Sequence, residues 1–181
     1  MRKLIVFGGN SERNKAWGEA VVERFGDWFD EVYFQHYDHW TNGEEVIDFD
    51  RKVAKLGEVI SKGEPGVEYF ILAKSYGSIL SMRSVVDGVV SPAKCVFFGI
   101  PLNMVEEHNV WQGSWDNLGA FSVPTIAFHN ADDPVASYSF LTTKLEEVGQ
   151  NSIKVIKKDG DNHSYSELDQ YESEIKEFLN V

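Results

Sequence analysis

Six short apolar runs alternate with helical patterns along the chain, and few folds are compatible with that order. Several runs are almost continuously apolar, as expected of strands that are covered on both faces. The stretches between them repeat apolar residues at helical spacing, as Trp17, Val21 and Phe25 do. This pattern predicts a single α/β domain over residues 1–181, with three α/β/α layers and a mainly parallel six-stranded sheet. The predicted strands are 3–8, 31–36, 67–73, 94–100, 124–130 and 152–158.

Charge and hydropathy restrict the partners and the location that we expect. The net charge of −12 argues against binding to nucleic acid, whose phosphates require Lys and Arg. No apolar run approaches the ~20 residues of a membrane helix, and the first residues do not resemble a signal peptide. Cys95 is the sole cysteine and lies in a predicted strand, so we expect it in the core without a disulfide. These observations predict a cytoplasmic protein with no membrane or nucleic-acid partner.

The polar residues of interest follow the predicted strands. In a parallel sheet, ligands bind beyond the carboxyl ends of the strands. Strand one leads into residues 8–11, strand three into Ser75, strand five into residues 130–133 and strand six into residues 159–163. A serine, an acid and a histidine therefore meet at one sheet edge in the order Ser, Asp, His, which is typical of one of the known triad arrangements.

Three short motifs resemble those of the α/β-hydrolase superfamily. The sequence AKSYG (73–77) resembles the nucleophile elbow G-x-S-x-G, with alanine in place of the first glycine. NADDPVAS (130–137) resembles the loop that carries the acid, and GDNHSY (160–165) resembles the loop that carries the histidine. The resemblance spans essentially the whole chain, without a large cap domain. It implies a minimal α/β-hydrolase fold and a triad of Ser75, His163 and Asp133, with Asp132 as the alternative acid.

The resemblance also implies a reaction. Such a protein would be a small cap-less serine hydrolase that forms an acyl-enzyme from a small carboxylic ester or thioester, with no cofactor and no metal. Two backbone N–H groups would stabilise the oxyanion, those of Tyr76 and Asn10. Gly8 and Gly9 would let the loop before Asn10 approach the substrate.

One segment is expected near the mouth of the site. Residues 101–122 have no clear periodicity, and irregular segments in such folds are often functional. We expect pocket walls from this segment, from Gly9 and from Tyr165. The segment's candidate residues are Leu102, Met104, Val110, Trp111 and Trp115.

Other interpretations of the same residues remain open at this point. The protein could keep the hydrolase fold as a small-molecule-binding protein without turnover. It could instead be a flavodoxin-like nucleotide-binding domain that holds a phosphate at residues 8–11. Ser75 could be only a helix N-cap. His36, Asp38 and His39 could ligate a metal, although no second cluster completes such a site.

Overall fold

The structure of this protein is a computed structural model that describes residues 1–42, 48–60, 65–107 and 116–181. Its centre is a six-stranded sheet in the order β2-β1-β3-β4-β5-β6, and all five strand pairs are parallel. The predicted fold class is therefore confirmed. The strands are β1 (Arg2–Phe7), β2 (Glu31–Gln35), β3 (Glu68–Lys74), β4 (Lys94–Phe98), β5 (Thr125–Asn130) and β6 (Ile153–Lys158).

Helices cover both faces of the sheet, because successive strand residues point to opposite sides. Along β1, Leu4 and Val6 pack against one group of helices, and Ile5 and Phe7 pack against another. The first group is α1 (Arg13–Phe25) and α8 (Glu172–Leu179), and the second includes α3 (Phe49–Val59), α4 (Tyr76–Val86) and α7 (Tyr138–Glu147). The short helices are α2 (His39–Asn42), α5 (Asn103–Glu107) and α6 (Asp116–Ala120), and 3-10 turns lie at Gly26–Trp28 and Leu168–Tyr171. Among the described helices, none has both the length and the apolar character that crossing a bilayer requires.

The strand order reverses at β1, which lies between β2 and β3. Phe7 at the end of β1 is paired with Ala73 near the end of β3. The loop after β1 and the turn after β3 are therefore neighbours at the carboxyl edge. Crevices at such reversals are the usual ligand sites of open α/β sheets.

The described parts of segment 101–122 differ from the irregular structure that we expected. They form α5 and α6, which at five residues each are too short to produce a recognisable helical period. Leu102 is fully buried in the core rather than at a pocket mouth, as are Val105 and Leu118. Met104 is partly buried against the same core.

Candidate active site

Ser75 occupies a strained position between β3 and α4. Its backbone angles are φ 53° and ψ −127°, a region that residues with a side chain rarely adopt. Such a conformation costs about 1–3 kcal/mol and persists only where the surrounding structure enforces it. The Ser75 side chain makes no capping hydrogen bond to α4, so a simple N-cap role does not explain it.

The turn at Ser75 is tight because α4 begins directly against the end of β1. A Cβ atom on Gly77 would lie 2.5 Å from the carbonyl oxygen of Phe7 and 2.6 Å from that of Gly8. No side chain fits there without moving the backbone, so this position of the motif requires glycine. Ala73, which replaces the first glycine of the motif, is fully buried within β3.

His163 and Asp133 meet at the same edge. His163 Nδ1 lies 2.7 Å from Asp133 Oδ2, and the Asp133 side chain is fully buried. Asp132 is exposed, and its backbone N–H donates to the carbonyl of Gly160 at 3.0 Å, which ties the two loops together. Of the two candidate acids, Asp133 is therefore the one that contacts His163.

Asp133 is held by four hydrogen bonds. Oδ1 accepts from the backbone N–H groups of Val135 at 2.9 Å and Ala136 at 3.4 Å, and Oδ2 accepts from the Tyr165 hydroxyl at 2.6 Å as well as from His163. Burial favours the neutral acid, but the hydrogen bonds from His163, Tyr165 and Val135 outweigh it and hold the pKa of Asp133 below its ordinary value. The group is a carboxylate at neutral pH.

The protonation of His163 follows from this contact. An ionised carboxylate can only accept a hydrogen bond, so Nδ1 carries a proton, and in the neutral imidazole Nε2 is then the acceptor nitrogen. Nε2 is buried and has no hydrogen-bond partner among the described residues. A triad predicts that Ser75 hydrogen-bonds to His163, or lies only loosely near it when no ligand is bound; here the contact of His163 is with Asp133, and no hydrogen bond joins Ser75 to Nε2. Hydrogen bonds to a catalytic base are often loose without substrate and tighten when it binds.

Two residues that sequence reasoning did not assign to the triad shape this arrangement. Gly99 follows β4 with φ 59°, and a Cβ there would lie 2.8 Å from His163 and 2.5 Å from Tyr165. Tyr165 has φ 48°, and its hydroxyl also accepts from the backbone N–H of Asn130 at 3.0 Å. Trp17 of α1 donates to the Tyr165 carbonyl at 3.0 Å. Tyr165, which we expected only as a pocket wall, therefore holds the acid in place.

The loop after β1 is fixed from the side of β2. The Asn10 carbonyl accepts from Trp40 Nε1 at 3.1 Å and lies 2.5 Å from His39 Nε2. The Tyr37 hydroxyl donates to the Gly8 carbonyl at 3.1 Å. His39 is thus engaged with the loop, while Asp38 pairs with Arg51 and Lys52.

The residues predicted to line the pocket can be compared with the structure only in part. Gly9 is buried, and a Cβ there would meet the Asn14 side chain at 2.9 Å. Trp111 and Trp115 lie outside the described residues, as does Val110. A cavity of about 520 Å³ lies beside His163, between α1 and the loop after β6, and Lys74 lines it.

Tyr165→Phe is expected to lower the free energy of unfolding by about 1–3 kcal/mol, because the buried Asp133 loses a hydrogen-bond donor and the Asn130 N–H loses its acceptor. The same loss raises the pKa of Asp133, so on acidification the stability that its ionised form contributes should be lost at a higher pH than in the wild type. Urea unfolding at several pH values between pH 3 and pH 7 measures both effects.

Tyr171→Phe is the matched control, since Tyr171 is also buried on this side of the sheet but packs against Phe98 and Phe128. Equal effects of the two substitutions on unfolding, or an unchanged pH dependence of unfolding in Tyr165→Phe, would contradict the role of Tyr165.

Several solved structures superpose on almost the whole length of this chain. An esterase from Pyrococcus furiosus superposes with a TM-score of 0.74 at 13% identity, over 99% of this chain and 82% of that one. Esterase 2 from Thermogutta terrifontis, phosphorylated by paraoxon, gives 0.69 at 16% identity, over 98% of this chain and 81% of that one. An alpha/beta hydrolase enzyme from a Medee basin deep-sea metagenome library gives 0.71 at 11% identity, over 99% and 90%. No protein-family model and no curated protein matches the sequence. The chain has the α/β-hydrolase fold.

Proposed function

We propose that this protein is a serine hydrolase that cleaves a small carboxylic ester or thioester through an acyl-enzyme. Ser75 is the nucleophile, His163 the general base and Asp133 the acid that orients it. The observation that carries the proposal is the state of His163, whose Nδ1–H donates to a buried carboxylate while its Nε2 is buried without a partner. A merely structural histidine in that place would leave an unsatisfied buried acceptor, which costs about 1–3 kcal/mol.

The reaction follows from these positions. His163 Nε2 takes the Ser75 hydroxyl proton as the oxygen attacks the substrate carbonyl carbon, and a tetrahedral oxyanion forms. Asp133 stabilises the imidazolium that results. The imidazolium then protonates the departing alcohol or thiol as its bond to the carbonyl carbon breaks, and the acyl group remains on Ser75. Water enters with His163 again as base, and the carboxylic acid and free Ser75 are released.

The oxyanion needs donors that are already in place. Tyr76 is the first residue of α4, so its N–H lies at the helix N-terminus directly after the nucleophile. We assign the second donor to the backbone N–H of Asn10, because the end of β1 is paired with the end of β3. Each such donor is typically worth ~3 kcal/mol in the transition state.

A fluorophosphonate probe tests the chemistry. The reagent phosphonylates only an activated serine. We expect intact-mass spectrometry to show one added probe per chain and peptide mapping to place it on Ser75. An unlabelled Ser75, together with no turnover of any ester, would favour a binding protein that has kept only the fold.

The acyl preference is a separate prediction. We expect 4-nitrophenyl esters of short or medium acyl length to be better substrates than the palmitate, with little activation at lipid interfaces. The physical reason is that segment 101–122 is too short to form a cap domain, so we expect a shallow pocket in which a long acyl chain would stay largely in water. Values of kcat/KM measured from the acetate to the palmitate check this, and a maximum at the long end would refute it.

A further inference from the structure

The cavity beside His163 has an unusual charge for this protein. The chain carries a net charge of −12, yet the cavity is lined by two cations, Lys74 and Arg13, and none of its described lining residues is acidic. Three serines, Ser11, Ser164 and Ser166, also line it. Two cations around one cavity of an acidic protein favour an anionic ligand there.

The lysine that lines this cavity, Lys74, is buried and has no partner for its charge among the residues that the structure describes. It occupies the position just before Ser75 and is only 7% exposed. Within the described residues its ammonium group has no ion pair and no hydrogen bond, and its contact is with the face of the Trp17 ring at 5.8 Å. Burial lowers its pKa to about 8, against the opposing effect of Asp133. The side chain is therefore still mostly cationic at pH 7.

The nearby acidic group does not pair with the buried ammonium group of Lys74. Asp133 is the nearby carboxylate, but its two oxygens are occupied by His163, Tyr165 and the backbone of the acid loop. Asp133 favours the charged form of Lys74 from a distance but makes no ion pair with it, so the buried ammonium group keeps a desolvation penalty that an anion in the cavity would reduce.

The rest of the cavity suits the same ligand. Arg13 is exposed at the rim and makes no ion pair in the part of the chain that the structure describes. It begins α1, a helix of 13 residues, whose N-terminus adds partial positive charge. Guanidinium and ammonium groups together bind a carboxylate through charge-assisted hydrogen bonds.

We propose that this cavity binds a carboxylate of the substrate, so that the preferred substrates are esters that carry one carboxylate a few bonds from the scissile carbonyl. Because His163 also lines the cavity, a carboxylate bound there would lie beside the imidazole that acts as the proposed base. This inference rests on the proposed hydrolase function and names the substrate class for it.

Two matched pairs of esters test the inference. The first pair, mono-4-nitrophenyl adipate and 4-nitrophenyl hexanoate, places the carboxylate on the acyl group. The second, 3-carboxy-4-nitrophenyl butyrate and 4-nitrophenyl butyrate, places it on the leaving group. We expect the anionic member of at least one pair to have a kcat/KM about tenfold above the neutral member, after the rate without protein is subtracted.

The variants separate the cavity from general charge. We expect Lys74→Met to lower the ratio of anionic to neutral kcat/KM about tenfold, and Arg13→Gln to lower it less, because Arg13 is exposed. Lys15→Gln is the control, since Lys15 is an exposed cation of the same helix turn that does not line the cavity. The inference is overturned if the ratio of anionic to neutral kcat/KM is at or below one for both pairs in the wild type, or if Lys74→Met leaves it unchanged. Either result leaves the proposed function intact.

A binding measurement keeps the two proposals apart if no ester is hydrolysed. Calorimetric titration compares hexanoate with hexanamide, on the wild type and on Lys74→Met. Tighter binding of hexanoate that Lys74→Met weakens supports the carboxylate site even where the hydrolase function fails. Equal binding of both compounds, or no binding of hexanoate, overturns it.

Discussion

Ser75→Ala is expected to lower kcat/KM for a 4-nitrophenyl ester by about 10⁵-fold or more. In the proposed mechanism the alanine removes the oxygen that forms the acyl-enzyme, and what remains is the rate that binding and oxyanion stabilisation supply. The fold should persist, because the serine hydroxyl makes no capping bond to α4. Initial rates at several enzyme concentrations measure the loss, and the fluorophosphonate adduct should disappear in parallel.

Ser84→Ala is the matched control for this substitution. Ser84 is a fully buried serine of the same helix, and its hydroxyl donates to the Leu80 carbonyl at 2.8 Å. We expect it to keep both turnover and labelling. If Ser75→Ala kept wild-type turnover, Ser75 would not be the nucleophile.

Asp133→Asn is expected to lower kcat by about 10⁴-fold through the wrong imidazole tautomer. Two backbone N–H groups, of Val135 and Ala136, donate to Oδ1, so an amide at this position must keep its oxygen there. The amide nitrogen then faces His163 and donates to Nδ1. The imidazole proton then lies on Nε2, and a protonated Nε2 can no longer accept the proton of Ser75.

Asp132→Asn is the control for the acid, because Asp132 is exposed and its structural contact is made by the backbone. We expect a change of less than about twofold, as for an ordinary surface substitution. A circular dichroism spectrum and a melting curve should accompany both variants, since Asp133 is buried. Equal losses of turnover in correctly folded variants would contradict the assignment of Asp133.

The six strands could be predicted from the sequence because buried parallel strands are apolar on both faces. Runs such as YFILA in β3 and CVFF in β4 have no polar alternation, and the bounds of these strands in the structure lie within two residues of the predicted ones. The two short helices in segment 101–122 were missed, since five residues do not complete two helical turns.

The order of Ser75, Asp133 and His163 after β3, β5 and β6 was also visible in the sequence, because parallel strands carry their loops to one edge. The preference for Asp133 over Asp132 came from the resemblance of NADDPVAS to an acid loop, and the local sequence alone does not decide between them. Adjacent residues in a loop can each point either way, and only the bonds to Tyr165 and to the backbone of Val135 and Ala136 select one.

The sequence by itself therefore determined the layers, the direction of the strands and the edge at which polar residues collect, since each depends on local hydrophobic periodicity. The tertiary structure alone decided which side chains meet across segments that are distant in the chain. Tyr165 reaches Asp133 from the loop after β6, the bare Cα of Gly99 makes room for His163, and Lys74 lies in a cavity beneath α1. These contacts depend on distances between separate elements, and local sequence carries no information on those distances.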